Sequence, residues 1–447
     1  MTASGETGDP MRPHDVNPEH PDGAPHARLA PPERLTRGAP LAVLRALPGS
    51  RAVGGCVRDA LAGRPIADVD VGVPLPPGAA VPLLRAAGLK VVETGLAHGT
   101  VTAIGDGEPV EVTSLRRDVA TDGRHAEVEW TADWREDAAR RDFTINAMSM
   151  DAEGNLWDWF GGRGDLAAGV VRFVGDPATR LREDYLRALR FFRFQARYGT
   201  GAPDAAALAA IREAVPGLAR LSAERVWSET KRLLAAPAPS GALRLMLDTG
   251  VLAAILPEAL SGIPEPAALA ERIGALRRGI AAGLPPDPVL RLAALLPPGL
   301  RGAGGRIARR LRFSNEEREV LEELTDRDIP PDPAPDDDAL RRWLSLRGDA
   351  GAPPREAWLA ELRDGRDRSA LRARIASMPV PRFPLQGRDA LAMGVPPGPQ
   401  LGRMLRAVEA WWREDGCRAD AGACRARLTE LMKDITEGHW PTGQGRA

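Results

Sequence analysis

Short apolar runs, separated by glycine and polar turns, fill the first third of the chain. They predict strands at Arg51–Val53, Val91–Glu93 and Val110–Leu115, and a turn followed by a strand over residues 98–104. Two short helices are predicted over Leu41–Leu47 and residues 81–87. This mixture predicts a head domain of strands and helices that spans roughly 120 residues, an ordinary size for a domain.

Beyond residue 162 the apolar spacing becomes helical. The segment Leu181–Phe194 predicts one strongly amphipathic helix. Its predicted core stripe consists of Tyr185, Leu189, Phe192 and Ala196. Asp184 and Arg187 are three residues apart, so on a continuous helix they share a face.

Helices are predicted to continue through the rest of the chain. They occur within residues 204–256, where one starts at Ser222, and over Pro399–Glu414. The segment Ser314–Glu317 has the spacing of a capping box, which marks the start of a helix. Residues 326–338 are rich in Pro and Asp and predict a linker.

These patterns divide the chain into six parts. Residues 1–37 contain seven prolines and no Phe, Trp or Tyr, so they bury too little apolar surface to fold and are predicted to be a disordered tail. The other predicted parts are a head at 38–165, a helical neck at 166–260, a helical body at 261–325, the linker at 326–338 and a helical tail at 339–447.

Composition limits the class of protein. The chain has 447 residues, and its 60 basic and 61 acidic side chains leave a net charge of -1, so any basic surface must be local. The three cysteines have no paired spacing, which predicts a reduced, cytoplasmic protein with neither zinc nor disulfides. No apolar run reaches membrane-spanning length, and no feature indicates a protein partner.

The stretch from Arg51 to Asp70 combines two features that nucleotide chemistry needs. Gly54 and Gly55 separate a strand from a helix, and a helix N-terminus behind a glycine turn attracts phosphate. Asp68 and Asp70 are two residues apart, so on a strand both carboxylates point to one face and can hold Mg²⁺. Each signal is weak alone, because an Asp-x-Asp pair is usually a solvated strand edge or loop. The combination is less common, and no P-loop pattern is present.

Further polar residues of the head are candidates for the same site. Glu111 is predicted to lie beside the two aspartates, and a solvent-facing position is the equal alternative. Arg140 and Arg141 can clamp a triphosphate. Asp142 and Asn146 can hydrogen-bond a ribose hydroxyl. A basic helix cap followed by core residues is the alternative for this last segment.

Two charged stretches are predicted to lie at the surface. Residues 116–130 are polar and predict a mobile loop near the site, in which His125 is a surface residue rather than a catalytic one. Nine arginines occur between Arg272 and Arg312 beside a single acidic residue, Asp287. They predict a basic helical surface suited to an RNA backbone, and a solvated face is the alternative.

The pair Asp184 and Arg187 permits a chemical inference. Cytosine and adenine each present an amino donor beside a ring-nitrogen acceptor, so a carboxylate can accept from the first while a guanidinium donates to the second. Uracil and guanine would leave both protein groups unpaired, which gives strong selection. An ordinary salt bridge within a helix is the simpler interpretation of the spacing alone.

Six motifs, taken in order, resemble the class II tRNA nucleotidyltransferases, which are CCA-adding enzymes, and the related bacterial poly(A) polymerases. The motifs are Gly54–Asp59, Asp68–Asp70, His98–Val101, Glu111–Arg116, Arg140–Ala147 and Glu183–Arg187. Their order and spacing match the family over residues 40–260. Phe383–Asp389 and Gly394–Gly398 are similar to segments of proteobacterial members.

The resemblance implies an α+β fold, with a polymerase-β-like nucleotidyltransferase head followed by an all-α neck, body and tail that hold tRNA. Asp68, Asp70 and Glu111 are the predicted catalytic residues, and Asp68 and Asp70 are the predicted ligands of Mg²⁺. The predicted nucleotide-binding residues are Gly54, Gly55, Arg58, Arg141, Asp142, Asn146, Asp184, Arg187 and Arg190. Within this set the family implies that Asp184 and Arg187 act as an amino-acid template for CTP and then ATP.

The predicted function is therefore template-independent addition of C, C and A to the 3′ end of tRNA from CTP and ATP. The segment between Asp70 and His98 lacks the basic stretch typical of poly(A) polymerases, and this favours CCA addition. A poly(A) polymerase or a CC-adding enzyme of the same family is one alternative. A non-catalytic RNA-binding protein is another.

Overall fold

The computed structural model describes residues 23–96, 99–121, 126–261, 266–326, 332–347 and 352–436. It divides into two compact units, Met1–Ile255 and Leu256–Ala447. One mixed sheet with helices in the first unit and helices throughout the second confirm the predicted α+β fold class. The division after Ile255 lies near the predicted boundary between neck and body, and the finer domain boundaries stay predictions.

The strands described in the first unit form one large sheet and one hairpin. They are β1 (Ala27–Arg28), β2 (Arg51–Val53), β3 (Asp70–Val73), β4 (Lys90–Gly95), β5 (Thr100–Gly105), β6 (Glu108–Ser114), β7 (Arg116–Thr121), β8 (Ala126–Trp130), β9 (Ser149–Met150) and β10 (Asn155–Trp157). The large sheet has the order β1-β10-β9-β2-β3-β6-β5-β4, and β7 pairs with β8. Within the large sheet β3 and β6 run parallel, and the other neighbouring strands are antiparallel.

The helices described in the first unit are α1 (Gly38–Ala46), α2 (Gly55–Leu61), α3 (Ala80–Ala86), α4 (Trp134–Ala139), α5 (Gly162–Ala168), α6 (Pro177–Glu183), α7 (Leu186–Tyr198), α8 (Ala205–Ala214), α9 (Ala223–Leu234), α10 (Pro239–Asp248) and α11 (Val251–Ile255). They include the two short helices predicted for the head, which correspond to α1 and α3. The apolar side chains of α1, α2 and α3 form one buried cluster with those of the sheet, including Val43, Val57, Val71, Leu84 and Val112. Removing this apolar surface from water stabilises the head. β2 and β3, the two central strands of the large sheet, contribute Ala52 and Val71 to this cluster.

The prediction of a disordered tail over residues 1–37 is wrong for residues 23–37. Ala27 of β1 pairs with Leu156 of β10. A short 3₁₀ helix, Glu33–Leu35, places the Leu35 side chain in the core of the head, where it is only 1% exposed. Composition did not predict this ordered structure, because β1 is stabilised by β10, a strand more than 120 residues further along the chain. Residues 1–22 lie outside the described residues.

The prediction of a loop over residues 116–130 is also wrong. Arg116–Thr121 and Ala126–Trp130 pair as an antiparallel hairpin, in which Arg116 lies opposite Trp130. The sequence of this segment is mostly polar and lacks the apolar alternation of a half-buried strand, so its pattern did not predict strands. His125 lies outside the described residues.

The predicted helix over Leu181–Phe194 is interrupted. Helix α6 ends at Glu183, Asp184 adopts extended backbone angles (φ −155°, ψ 108°), and α7 begins at Leu186. Asp184 and Arg187 therefore do not share a face of one helix. The predicted core stripe is otherwise correct, since Leu189, Phe192 and Ala196 are buried, whereas Tyr185 at the interruption is only half-buried.

The described part of the second unit is helical. Its helices are α12 (Pro266–Ala281), α13 (Pro288–Leu295), α14 (Ala303–Arg310), α15 (Asn315–Asp326), α16 (Asp337–Ser345), α17 (Ala352–Asp364), α18 (Ser369–Ser377), α19 (Gly387–Ala392), α20 (Pro399–Glu414) and α21 (Ala421–Thr436). Helix α20 has the predicted bounds. The predicted capping box is present, because the Ser314 hydroxyl accepts the Glu317 N–H at 3.2 Å and the Glu317 carboxylate accepts the Ser314 N–H at 3.0 Å. No described helix is both long and apolar enough to cross a membrane.

The predicted arginine-rich surface of residues 272–312 is correct only in part. Arg291 is 2% exposed and donates to the carbonyls of Leu284 and Pro285. Arg272 donates to two backbone carbonyls, and Arg310 pairs with Glu258 at 2.6 Å. These three arginines join segments of the second unit. The other six arginines of this stretch are exposed: Arg277, Arg278, Arg301, Arg306, Arg309 and Arg312.

Candidate active site

A glycine turn joins β2 to α2 at the edge of the site. Gly54 has φ 68° and ψ −119°, a left-handed conformation that favours glycine. A Cβ atom on Gly54 would also lie 3.0 Å from Nη1 of Arg141. The missing side chain therefore lets an arginine guanidinium approach the backbone of the turn. Gly55 follows as the first residue of α2.

Two of the three predicted carboxylates, Asp70 and Glu111, lie on parallel strands. Asp70 is the first residue of β3 and is in register with Glu111 of β6, so Glu111 lies beside Asp70 and is also exposed to solvent. Asp68 precedes β3 and is not part of the strand, in contrast to the prediction. Asp68 and Asp70 are nevertheless both exposed, on either side of the buried Val69. Both aspartates thus lie on the solvent side of the chain.

These carboxylates interact electrostatically. The chain around Asp70 removes part of its hydration and so raises its pKa, and the neighbouring charges of Glu111 and Asp68 raise the pKa further, while Arg141 opposes them. A cation beside Asp70 would relieve this repulsion. Across the described residues, however, no three or more His, Cys, Asp or Glu side chains are grouped so as to hold a metal ion by themselves.

The buried carboxylate of Asp137 holds two arginines at the site. Oδ1 accepts from Nη2 of Arg140 at 2.7 Å, and Oδ2 accepts from Nη2 of Arg141 at 3.0 Å. Burial alone would raise the pKa of Asp137, but the two arginines outweigh it and lower the pKa. Asp137 is not among the residues predicted from the sequence. Its spacing of three and four residues before two arginines on a helix would have indicated it.

Asp142 and Asn146 form a second buried cluster. Oδ2 of Asp142 accepts from Nε and Nη2 of Arg190 at 2.8 and 2.5 Å, and Oδ1 accepts from the Asn146 amide at 2.9 Å. Asn146 in turn accepts from Nη1 of Arg58 at 2.6 Å. Burial would raise the pKa of Asp142, but Arg190 and the hydrogen bonds lower it. Four predicted site residues are thus linked directly.

Asp184 and Arg187 face the same cavity with different partners. Oδ2 of Asp184 pairs with Nη2 of Arg225 on α9 at 2.6 Å, and Oδ1 accepts the N–H of Leu186 at 3.0 Å. Arg187 is paired with Glu183 and donates to the carbonyl of Arg140 at 3.4 Å. The simple salt bridge between Asp184 and Arg187 does not form. Arg225 was not predicted, and its distance along the chain leaves no local signal.

A cavity of about 400 Å³ collects these side chains. All nine predicted nucleotide-binding residues line it, together with Asp70, Arg140, Leu186, Phe194 and Arg225. A second cavity of about 170 Å³ shares Asp70, Arg140 and Arg141 with the first and is also lined by Glu111. Asp68 is not among the residues that line either cavity. His98 lies outside the described residues.

Comparison with known proteins identifies the family. A family described as the Poly A polymerase head domain matches residues 50–172, and the Probable RNA and SrmB- binding site of polymerase A matches residues 202–262. CCA tRNA nucleotidyltransferase 1, mitochondrial, of Mus musculus is 35% identical over 383 residues, which are 83% of this chain and 84% of the mouse protein. The chain belongs to the CCA tRNA nucleotidyltransferase family. The resemblance stated from the motifs and the predicted enzyme class are thereby confirmed.

The chain is also similar to bacterial CCA-adding enzymes. The CCA-adding enzyme of Geobacillus stearothermophilus is 39% identical over 202 residues, 44% of this chain and 48% of that protein. The crystal structure of the Bacillus stearothermophilus CCA-adding enzyme in complex with CTP is similar with a TM-score of 0.69 and 27% identity, covering 89% of this chain and 98% of that one. This chain therefore shares a fold with an enzyme whose structure contains CTP.

Proposed function

We propose that this chain adds C, C and A to the 3′ end of tRNA, using CTP and ATP, through the site described above. One observation carries the proposal: the nine residues predicted to bind nucleotide line a single cavity next to Asp70. The name of the mouse relative and the CTP in the Bacillus structure support the same reaction.

The carboxylates at the edge of β3 fit a magnesium site. Mg²⁺ prefers oxygen ligands and is usually bound by one or two carboxylates together with substrate phosphates. Asp68 and Asp70 would hold it, and the raised pKa of Asp70 is consistent with a place where a cation is favourable. When bound, Mg²⁺ would offset phosphate charge and help orient the reacting oxygens. Glu111 adds negative charge beside Asp70.

Protein groups then act on both ends of the nucleotide. The glycine turn at Gly54, with Arg58 and Arg141, binds the triphosphate. These cations offset the charge that grows when the tRNA 3′-hydroxyl attacks the α-phosphate and pyrophosphate leaves. Asp142, held by Arg190 and Asn146, lies where a ribose hydroxyl can be bound. Its two oxygens already accept from these groups and from the Phe143 N–H, so a ribose hydroxyl shares or replaces one of those bonds.

Base selection is assigned to Asp184 and Arg187. The ion pair with Arg225 orients the Asp184 carboxylate as an acceptor for an exocyclic amino group. Arg187 donates to the ring nitrogen beside that amino group. UTP and GTP would leave these partly buried polar groups unmatched, which disfavours their use.

The length of the product tests the proposal. The full chain is incubated with tRNA that ends at the discriminator base, CTP, ATP and Mg²⁺, and we expect three added nucleotides. Asp68→Ala should abolish CMP and AMP incorporation while tRNA binding persists. Asp248→Ala, which removes an exposed aspartate of α10 that pairs with Arg244 at 3.1 Å, serves as the matched control.

Other product lengths identify the alternatives. Two added residues would indicate a CC-adding enzyme, and a long A tail would indicate a poly(A) polymerase. No incorporation by the unmodified chain, with tRNA still bound, would indicate a non-catalytic RNA-binding protein. Retained incorporation by Asp68→Ala would refute the role of the aspartates.

A further inference from the structure

One face of α7 contacts the nucleotide cavity and the head along its whole length. Arg187, Arg190, Phe194 and Tyr198 are spaced by three, four and four residues, so they lie on the same side of the helix. The first three line the cavity, and Tyr198 lies one turn beyond Phe194. Eleven residues of helix span about 16 Å. The face therefore runs from the proposed base-reading arginine to the far end of the site.

Tyr198 is the last residue of this face, and it contacts α2, the helix that follows the glycine turn. Its hydroxyl donates to Oδ1 of Asp59 at 2.5 Å, and the side chain is nearly buried. Burial and the hydrogen bond to Asp59 raise the pKa of Tyr198, so the hydroxyl keeps its proton and remains a donor at neutral pH. Arg64 lies against the same ring at 4.7 Å and donates to the carbonyl of Arg197 at 2.6 Å.

The same cluster holds Arg58. Asp59 accepts from Nε and Nη2 of Arg58 at 3.2 and 3.0 Å. The guanidinium carbon lies 4.5 Å from the centre of the Tyr198 ring and 5.1 Å from that of Phe194. Such contacts between a cation and aromatic rings are favourable. Tyr198 thus contacts Arg58 directly through its ring and indirectly through Asp59.

These contacts leave Arg58 able to bind an anion. A guanidinium carries five N–H donors. Among the described residues, Asp59 and Asn146 accept from three of them, and two remain for a ligand in the cavity that Arg58 lines. The orientation of those two donors depends on Asp59 and the aromatic rings, because a free arginine side chain has many rotamers.

We propose that Tyr198 is a positioning residue that aims Arg58 at the phosphates of the incoming nucleotide. Because the same helix carries Arg187, α7 sets the distance between the base-reading end and the phosphate end of the site. This inference rests on the proposed function, since it assumes that Arg58 binds the triphosphate.

Steady-state kinetics of the full chain with tRNA tests the role of Tyr198. Tyr198→Phe removes the hydroxyl and keeps the ring, and we expect KM for CTP and for ATP to rise by the same factor, about fivefold, as for one lost hydrogen bond. Tyr198→Leu also removes the ring and should raise both KM values by about 20-fold. We expect kcat and the preference for CTP over UTP to stay within twofold.

Inhibition by pyrophosphate separates positioning from a merely structural effect. Pyrophosphate has the phosphates but neither the base nor the ribose, so its inhibition constant should rise by the same factor as KM. Tyr185→Phe, the corresponding change at the other tyrosine of the chain, is the matched control and should leave the inhibition constant unchanged. Thermal melting establishes that each variant is folded.

The result for Arg58→Ala identifies which proposal fails. If Arg58→Ala weakens CTP, ATP and pyrophosphate together while Tyr198→Phe changes none of them, the positioning role of Tyr198 is overturned and the proposed function stands. A Tyr198→Phe effect limited to kcat or to KM for tRNA also overturns it. If Arg58→Ala has no effect on CTP, ATP or pyrophosphate, the triphosphate assignment and the Tyr198 inference are both overturned.

Discussion

At the scale of single residues, Asp70 is held where its charge is unfavourable. It is in register with Glu111 and follows Asp68 by two residues, and its pKa is raised by partial desolvation and by both of these carboxylates. Arg141 compensates only in part. A position that is electrostatically costly without a ligand is typical of a functional site, where a bound cation removes the cost.

Replacing Asp70 with Asn should separate stability from activity. Asp70→Asn removes one negative charge from the carboxylate group, so the melting temperature should stay the same or rise. Nucleotide incorporation should fall at least about 100-fold, because the proposed metal ligand is lost. Primer extension and thermal melting measure the two effects.

Glu93→Gln is the control for Asp70→Asn. Glu93 is exposed on the edge strand β4 and pairs with Arg85 at 2.7 Å. It should change neither incorporation nor melting temperature by much, since surface ion pairs contribute little. An Asp70→Asn enzyme that still extends tRNA would contradict the proposed role.

At the scale of elements, close packing of α14 on α15 depends on a glycine. A Cβ atom on Gly304 would lie 2.5 Å from Oγ1 of Thr325 and 2.8 Å from the carbonyl oxygen of Leu321. The backbone carbonyl cannot move without shifting α15. The close packing of these helices therefore requires glycine at this position.

We expect Gly304→Ala to destabilise the chain by about 1–3 kcal/mol, the usual cost of overpacking. Gly274→Ala is the matched change on α12, where a Cβ atom would meet only the flexible end of Arg278 at 3.6 Å. It should stabilise by about 0.5–1 kcal/mol, because alanine favours a helix interior. The midpoint of urea unfolding measures both, and equal effects of the two variants would disprove the packing argument.

At the scale of the whole molecule, two buried aspartates connect stability to pH. The arginines around Asp137 and Asp142 lower the pKa of both below the ordinary value of 3.8, despite burial. A carboxyl group with a lowered pKa stabilises the folded chain above its unfolded pKa, and this stabilisation is lost as the pH falls through the folded value. Asp70, whose pKa is raised, has the opposite dependence.

Melting temperature measured from pH 7 to pH 3 should therefore fall steeply below about pH 4. Asp142→Asn should melt at a lower temperature at pH 7, because Arg190 loses its ionised partner, and should show a shallower acid dependence. Asp248→Asn, at an exposed position, should follow the unmodified chain. An unchanged acid dependence in Asp142→Asn would show that this buried pair does not couple stability to pH.

The sequence alone determined the features that local physics controls. The short helices of the head, the capping box at Ser314 and the bounds of α20 follow from capping chemistry and apolar spacing within a few residues. The nine predicted nucleotide-binding residues do line one cavity. Segments as distant as Gly54 and Arg190 were assigned to one site only through the resemblance to a family, because local patterns carry no information about such distant contacts.

Tertiary structure decided what depends on partners distant in sequence. β1 is ordered because it finds β10, and residues 116–130 form strands because they pair with each other. The helix breaks at Asp184, whose carboxylate then binds Arg225 and the Leu186 N–H instead of Arg187. The spacing of residues along the chain predicts which side chains share a face of an element. Which side chains are buried, and which of several arginines pairs with each carboxylate, is decided only when the chain has folded.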